Sequence, residues 1–402
     1  MAAHAHSAEK HLHPLQDAPS TSQLLAQGAA AAGLSATLAP FSANGSWEQR
    51  LAANPYLMAP MAGVSDQAYR LMARAGGAAC AVSEMVSVAG IHYANEKTWQ
   101  LVDPDPAEPD LIVQLFGSDP EQFYEATKSV IDRYESRGWL QKLVAIDINM
   151  ACPVPKVVRK GEGSALLDDP ARAADIVRSV REGSDYSLPV TAKIRIGRKQ
   201  HDYVAPAFAK ALERAGVSSV AVHGRFANQF YTGTSDANAI AQVVSAVSIP
   251  VIASGDALSA AQAVQLKEST GAAAVFCARG TYGNPWIFAD ARSLGAGCTP
   301  APHTTAQRLA AFALHVQLLS ATGAHIARAR SLAGWYLKGM PEAASWRERA
   351  MHCVGVSDYL HLIAQVAQAN ALDPASVMVG EALQLAQETS VTPGAEKHSH
   401  HA

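Results

Sequence analysis

The sequence of 402 residues lacks any marked excess of charge and any long apolar run. Charged residues make up 17% of the chain, and 32 Lys and Arg stand against 35 Asp and Glu, which gives a net charge of −3. This balance argues mildly against a nucleic-acid partner, although a local basic patch is compatible with it. No apolar stretch approaches the roughly 18 residues of a membrane span, and the N-terminus shows no signal peptide. We therefore expect a cytoplasmic protein without a membrane partner.

Cysteine is also scarce. Five cysteines are spread widely along the chain and show no CxxC spacing. An odd number at such spacing excludes a disulfide framework and argues against a structural zinc site, so no metal is predicted. Hydrophobic residues make up 49% of the chain, which excludes disorder over its whole length.

Both ends of the chain have low sequence complexity. Residues 1–47 begin with scattered histidines and continue with Ala, Ser and Gly, and residues 389–402 are again rich in His. This composition predicts a disordered N-terminal extension and a disordered His-rich tail.

Between about residues 55 and 290, short apolar runs alternate with stretches of helical spacing. Within these runs apolar and polar residues do not alternate, which is typical of strands buried on both faces. Eight strand–helix units predict an α/β fold, a (β/α)8 TIM barrel over residues 48–298. The rival, a doubly wound open sheet, is weakened because no GxGxxG follows a first strand. The predicted strands are 56–59, 78–82, 111–115, 144–148, 190–194, 219–222, 251–253 and 272–276.

The sequence also indicates where helices begin. Pro120 and Pro170 stand where first helical turns begin, directly behind the capping residues Asp119 and Asp169. Beyond residue 300, the segments 304–322 and 346–368 show helical spacing and no strand runs. They predict a C-terminal all-α helical domain over residues 299–388.

Functional residues of a TIM barrel lie at the C-terminal ends of its strands. After the last two predicted strands come Gly255 and then Arg279 with Gly280, which suit a phosphate. Lys193 and His223 end neighbouring strands, and buried cations there need an anionic or carbonyl partner such as a flavin. The alternative is that the glycines form ordinary turns and that His223, like the amide of Gln114, only caps a loop.

Cys152 lies just beyond a predicted strand, in the segment Asp147-Ile-Asn-Met-Ala-Cys-Pro153. Most single cysteines in apolar surroundings are inert buried thiols. The position at a strand end, followed by the basic Lys156, Arg159 and Lys160, favours a chemical role instead.

These segments together resemble the tRNA-dihydrouridine synthases of the bacterial B-like kind, over about residues 55–365. The most specific is the Asn-Met-x-Cys-Pro element at Cys152. The other matching segments are Ala59–Asp66, Ser83–Met85, Gln114–Gly117, Lys193–Arg195, His223–Arg225 with Gln229 and Tyr231–Gly233, Arg279–Gly280, Gly283–Trp286 and Trp335–Gly339.

The resemblance implies an FMN-dependent oxidoreductase that uses NADPH to reduce the C5–C6 double bond of uridine in tRNA. Hydride would pass from reduced FMN to C6, and Cys152 would protonate C5 as general acid. The residues expected to hold FMN are Pro60, Met61, Ala62, Gln114, Lys193, His223, Ser254, Gly255, Asp256, Ala278 and Arg279. Those expected to contact the substrate are Asn149, Arg195, Arg225, Lys156 and Arg330.

The chain departs from the family pattern in four places. Ala151, Ser254 and Ala278 replace other small residues of the family, which keeps the FMN site. Phe226-Ala227 replaces a Thr-Arg pair and removes a cation that would face RNA.

Two alternatives stay open at this point. One is a small-molecule FMN barrel, such as a dihydroorotate or ene reductase, which would have no need of the helical domain. The other is an RNA-binding protein without redox activity. We expect the helical domain to dock tRNA and the barrel to hold the flavin, and no protein partner is predicted.

Overall fold

The computed structural model describes residues 19–41, 45–93 and 95–378. Eight strands run through the middle of the chain. They are β1 Tyr56–Met58, β2 Val86–Ser87, β3 Leu111–Phe116, β4 Leu143–Met150, β5 Val190–Arg195, β6 Ser219–His223, β7 Val251–Ser254 and β8 Ala274–Cys277. All pair in parallel, in the order β1-β8-β7-β6-β5-β4-β3-β2. Single bridges from Met58 to Ala81 and from Val82 to Ile112 link β1 to β3, so the sheet closes on itself.

This closed sheet, with helices between its strands, confirms the predicted TIM-barrel fold. The second predicted strand, 78–82, is reduced to the two bridges, and the longer pairing with β3 comes later, at Val86–Ser87. The cause lies at Ser83, whose hydroxyl accepts the Gln114 N–H at 2.9 Å. A side chain thus takes the place of a ladder carbonyl and bends the chain there.

Sixteen α-helices accompany the strands in the described part of the chain. They are α1 Thr21–Gly28, α2 Trp47–Ala53, α3 Gln67–Ala75, α4 Val88–His92, α5 Glu96–Val102, α6 Pro120–Ser136, α7 Pro155–Val158, α8 Pro170–Gly183, α9 Ala205–Ala215, α10 Ala237–Ala246, α11 Ala260–Thr270, α12 Ile287–Gly295, α13 Thr305–Ala321, α14 Ala329–Tyr336, α15 Ala343–Met351 and α16 Val356–Ala369. The predicted caps form, because the carboxylates of Asp119 and Asp169 accept backbone N–H groups of the first turns of α6 and α8.

The predicted helix over 346–368 is instead two helices, α15 and α16. The carboxylate of Asp358 accepts the backbone N–H groups of Val354 and Gly355 at 2.8 and 2.9 Å. Those bonds satisfy the start of a new helix and interrupt the periodic pattern.

The N-terminal extension is not disordered throughout. Residues 19–41 are folded: Ser20 and Gln23 cap α1 reciprocally, and Leu24 and Leu25 are buried. The indole Nε1 of Trp286 donates to the Ala32 carbonyl at 2.9 Å. The Ala-rich composition concealed a helix with an apolar face. Residues 1–18 and the His-rich tail 389–402 lie outside the described residues.

The C-terminal helices and the barrel share one apolar core. Helix α13 packs against both α1 and α3, and its leucines belong to the same buried cluster as the strands. The assignment of flavin to one part and tRNA to the other stays a prediction. In the described part of the chain, no helix has both the length and the apolar character needed to cross a membrane.

Candidate active site

A cavity of about 520 Å³ opens at the C-terminal ends of the strands. Its wall includes Cys152, Asn149, Arg195 and every residue predicted to hold FMN. The predicted substrate residues Arg225, Lys156 and Arg330 are not part of the wall. The barrel topology therefore brings residues that are widely separated in sequence, from Pro60 to Arg279, together at one mouth of the barrel.

Lys193, at the end of β5, is the least compensated cation of this wall. Among the described residues, no group accepts a hydrogen bond from its Nζ. Burial, together with nearby Arg195, lowers the pKa of Lys193 to about 8, and the carboxylate of Asp147 only partly opposes this. A cation in this position favours a ligand that offers a carbonyl or an anion.

His223, at the end of β6, is held neutral. Burial and the charges of Lys193, Arg195, Arg225 and Arg279 place the pKa of His223 well below its ordinary range. Arg225 Nη1 lies 3.3 Å from His223 Nε2 and can only donate. Nε2 is therefore the acceptor, and Nδ1 carries the ring proton.

A chain of hydrogen bonds crosses the barrel interior beneath the cavity. Thr191 Oγ1 and Gln114 Nε2 donate to the two oxygens of Asp147 at 2.5 and 2.7 Å. Asn149 Nδ2 then donates to Gln114 Oε1 at 2.9 Å, and Asn149 Oδ1 accepts the Cys152 N–H at 2.9 Å. Because an ionised carboxylate only accepts, Asp147 fixes the orientation of both amides.

Cys152 is held firmly at its backbone. Its N–H is bound by Asn149, and its carbonyl accepts the Ser164 N–H at 3.0 Å. Gly163 has a φ of +61°, and a Cβ there would lie 2.8 Å from the Cys152 carbonyl oxygen. Burial raises the pKa of the Cys152 thiol, against the opposing influence of the Val154 N–H and two cations. The thiol is thus protonated at neutral pH, as a general acid requires.

Arg195 lines the cavity but is already engaged. Its guanidinium donates to the carbonyls of Ala151, Phe226 and Phe230 at 2.9, 3.0 and 3.0 Å. Burial lowers the pKa of Arg195 to about 10. The side chain ties the loop after β4 to the loop after β6, and a direct contact with substrate stays a prediction.

The predicted phosphate end of the cavity is built closely around two glycines. Gly255 has a φ of +121°, and a Cβ there would lie 2.3 Å from Ser235 Oγ. A Cβ on Gly280 would lie 2.2 Å from the Ala257 carbonyl oxygen. Both positions therefore require glycine, but only Gly255 lines the cavity, because Gly280 is buried beneath it.

Asp256 lines the cavity, but its carboxylate does not suit a phosphate. Its oxygens accept from Arg225 at 2.7 and 2.8 Å, from Arg279 at 2.9 Å and from the Ser235 N–H at 2.8 Å. These cations and hydrogen bonds outweigh burial and lower the pKa of Asp256. The carboxylate thus holds Arg225 and Arg279, and the expected contact of Asp256 with the phosphate stays a prediction.

Arg225, which the sequence predicts to contact substrate, is engaged within the fold. Arg225 is only 1% exposed. Its guanidinium donates to the carbonyls of Thr232 and Gly233 and to Asp256. A buried cation with these partners orients the loop after β6 and does not reach a polynucleotide.

The remaining basic residues divide into exposed and engaged groups. Lys156 and Arg330 are exposed, as an RNA contact requires. Arg328 instead donates to Asp66 at 2.7 Å and to Glu84 at 3.3 Å. Glu84 accepts the Gly63 N–H, so Arg328 links the helical region to the loop that carries Met61.

Sequence reasoning missed the aromatic part of the mouth. Phe230, Tyr231 and Tyr282 line the cavity, and Phe230 and Tyr231 are 41% and 59% exposed. Tyr282 stacks on Trp335 of α14, with ring centroids 4.1 Å apart and planes 9° apart. Trp335 belongs to the C-terminal helices, so the residue pattern of the barrel segment alone could not have predicted this stacking.

Comparison with known proteins agrees with this geometry. The sequence profile described as dihydrouridine synthase (Dus) matches residues 57–372. The chain is 37% identical over 298 residues to tRNA-dihydrouridine synthase B of Xanthomonas campestris pv. campestris, covering 72% of this chain and 86% of that protein. It is 36% identical over 300 residues to tRNA-dihydrouridine synthase B of Pseudomonas aeruginosa, covering 73% and 87%.

A probable tRNA-dihydrouridine synthase 1 of Synechocystis sp. is 34% identical over 313 residues, covering 77% of this chain and 85% of that protein. Among solved structures, DHODH from Eimeria tenella aligns over 60% of this chain and 79% of its own chain. The sequence identity is 13% and the TM-score is 0.42. The profile match spans well over half of the chain, and the relatives align over most of their own length. The chain therefore belongs to the dihydrouridine synthase family.

Proposed function

We propose that this protein reduces uridine in tRNA to 5,6-dihydrouridine, with FMN as cofactor, NADPH as electron donor and Cys152 as proton donor. Its family makes it an oxidoreductase that acts on tRNA. One observation carries the proposal for this chain's own site. A single cavity joins an unpartnered cation, Lys193, to a protonated thiol, Cys152.

The cavity wall fits a flavin. Lys193 and the neutral His223 offer donors for a ring carbonyl and N1. Gln114 keeps one amide hydrogen free beyond its bond to Asp147. At the other end, the turn at Gly255 and the guanidinium of Arg279 suit one phosphate, and the absence of a Rossmann fingerprint favours FMN over FAD.

When bound there, the reduced flavin supplies the hydride that adds to uracil C6. The C5 position then carries the electron pair, and the Cys152 thiol donates its proton to C5. Lys193 and Arg195 line the same cavity and lower the cost of the negative charge that develops on the uracil. Water reprotonates the Cys152 thiolate, which completes the proton balance.

The polymer contacts belong to the same proposal. A uridine inside folded tRNA must leave its stack to reach a cavity of this size. The exposed Lys156, close to Cys152 in the chain, and Arg330 on α14 would bind backbone phosphates. We place the reaction in the cytoplasm, where tRNA and NADPH are available.

The test separates the two half-reactions. Cys152→Ala should keep the fold, FMN and the rate of flavin reduction by NADPH. Flavin reoxidation by unmodified tRNA, followed by stopped-flow absorbance, should fall by about 10²–10⁴-fold because a positioned general acid is lost. Cys298→Ala, which removes an exposed thiol outside the cavity wall, is the matched control.

Two results would overturn the proposal. One is reoxidation in Cys152→Ala within a few-fold of the unaltered enzyme, which would leave Cys152 without an acid role. The other is an unaltered protein that releases FAD, or no flavin, on heating and chromatography.

A further inference from the structure

The loop after β6 presents an aromatic side chain that the proposed chemistry does not use. Phe230 lines the cavity mouth, and its side chain is 41% exposed. Within the described residues, no ring or cation stacks on it. Its neighbour Tyr231 differs, because the Arg279 guanidinium lies 5.1 Å from the centre of the Tyr231 ring.

The backbone of Phe230 is strained. Its φ and ψ are +51° and −96°, a region that side chains with a Cβ rarely adopt. Such a conformation costs on the order of 1–3 kcal/mol and persists only where the surroundings enforce it. Glycine would avoid this cost, and an exposed phenyl ring recovers little of it by burial.

Two buried arginines enforce the conformation. Arg195 donates to the carbonyls of Phe226 and Phe230, both at 3.0 Å. Arg225 donates to the carbonyls of Thr232 and Gly233 at 3.1 and 2.7 Å. The loop backbone is thus fixed on both sides of the aromatic pair, and the point from which the Phe230 ring projects is set before any ligand arrives.

The same arginine sets the position of the ring relative to the proton donor. Arg195 donates to the carbonyl of Ala151, directly before Cys152, and to the carbonyl of Phe230. One guanidinium spans both bonds, so the Phe230 backbone lies next to the Cys152 loop. Phe230 and Cys152 line the same cavity, so a uracil at Cys152 would have the Phe230 residue beside it at the mouth.

We propose that Phe230 stacks on the base adjacent to the uridine that enters the cavity, and so determines how the RNA strand is held at the mouth. This inference rests on the proposed function. An open aromatic face on a rigid loop is what a base needs for stacking, and it accepts any of the four bases.

The experiment compares Phe230→Leu with Phe230→Trp on an unmodified tRNA transcript. Leucine keeps an apolar side chain and the backbone strain but has no π-face. Phe230→Leu should raise KM for tRNA by about 5- to 150-fold, the range of one lost base stack. Its kcat at saturating tRNA and its rate of flavin reduction by NADPH should stay within about threefold of the unaltered enzyme, and Phe230→Trp should restore KM.

Tyr186 offers a closely matched control. It also has a positive φ, +59°, and its side chain is 62% exposed, but it precedes β5 at the opposite end of the barrel. Tyr186→Leu should leave KM unchanged. Phe230→Gly removes the ring and relieves the strain, so it supplies a folded variant even if Phe230→Leu is unstable, and its KM should rise equally.

An unchanged KM in Phe230→Leu or Phe230→Gly would overturn the inference, and so would a loss confined to kcat. Failure of the proposed function looks different, because the unaltered enzyme itself would then form no dihydrouridine in the transcript. That result would remove the basis of this inference as well.

Discussion

Arg70 and Lys193 are both cations of the barrel region, but Arg70 is buried and fully paired, whereas Lys193 is partly exposed at the cavity. Arg70 donates to both oxygens of Glu108 at 2.6 and 2.7 Å and to the Ser65 carbonyl at 3.2 Å. Lys193 stands at the cavity mouth, and no described residue accepts a hydrogen bond from its Nζ.

The difference separates structural charge from charge available to a ligand. The desolvation cost of a buried cation is offset inside the fold when a carboxylate binds it through two hydrogen bonds. Such a cation is not available to bind a ligand. A buried cation without such a partner keeps its desolvation cost until a ligand supplies the missing acceptor. By this criterion we expect Lys193 to serve ligand binding and Arg70 to serve stability.

Breaking the pair between Arg70 and Glu108 should have the largest effect, and the effect is on stability. Glu108→Ala leaves the Arg70 guanidinium buried and uncompensated, which should lower the free energy of unfolding by about 3–5 kcal/mol. Thermal and denaturant unfolding measure this loss. Asp175→Ala is the control, because it breaks an exposed pair with Arg178 and should cost less than about 1 kcal/mol. Equal losses in the two variants would contradict the structural role of the Arg70 pair.

Removing the unpaired cation should give the opposite pattern. Lys193→Met should leave the stability of the flavin-free protein unchanged or raise it, because a desolvated charge disappears. FMN binding should weaken by about 10- to 150-fold, the equivalent of a charge-assisted hydrogen bond of about 1.5–3 kcal/mol. Flavin fluorescence titration gives the affinity. A loss of stability as large as that of Glu108→Ala would show that Lys193 has a structural partner after all.

Releasing Arg279 from Asp256 should have a smaller effect on FMN binding than removing Lys193. Asp256→Asn removes the carboxylate that holds Arg279 and should weaken FMN binding by roughly fivefold, about 1 kcal/mol. It also removes the carboxylate partner of the buried Arg225, so the free energy of unfolding should fall as well. If Asp256 acts only through Arg279, adding Asp256→Asn to Arg279→Ala should change the affinity no further. Additive losses in the double variant would indicate that the carboxylate contacts the ligand independently.

The last effect concerns pH, and between pH 7 and 8 it is the smallest of these, about twofold. The pKa of Lys193 in the free protein is about 8, and we expect FMN to bind the protonated form. Affinity should therefore be constant well below pH 8 and fall above it, by at most about tenfold per pH unit. Titrations between pH 7 and 9 test this, with Lys193→Met as a control that should show no such decline. A steeper decline at lower pH in both proteins would assign the effect to another group.

Residues at strand ends could be predicted from sequence because the barrel topology forces them to one mouth. Cys152, Lys193 and Gly255 were found in this way. The partners of Arg225 and Asp256 could not be predicted, because which cation a carboxylate selects depends on loop conformation. The stacking of Tyr282 on Trp335 depends on packing between distant parts of the chain, and no local pattern carries that information.

The early α1 segment has a consequence for how the chain is made. Ala32 accepts the indole hydrogen of Trp286, a residue 254 positions later. At about 5–20 residues per second, the ribosome needs roughly 10–50 s to supply that partner. Helix α1 also packs against α13, which is synthesised later still. The first helix of the described residues therefore reaches its final contacts only near the end of synthesis.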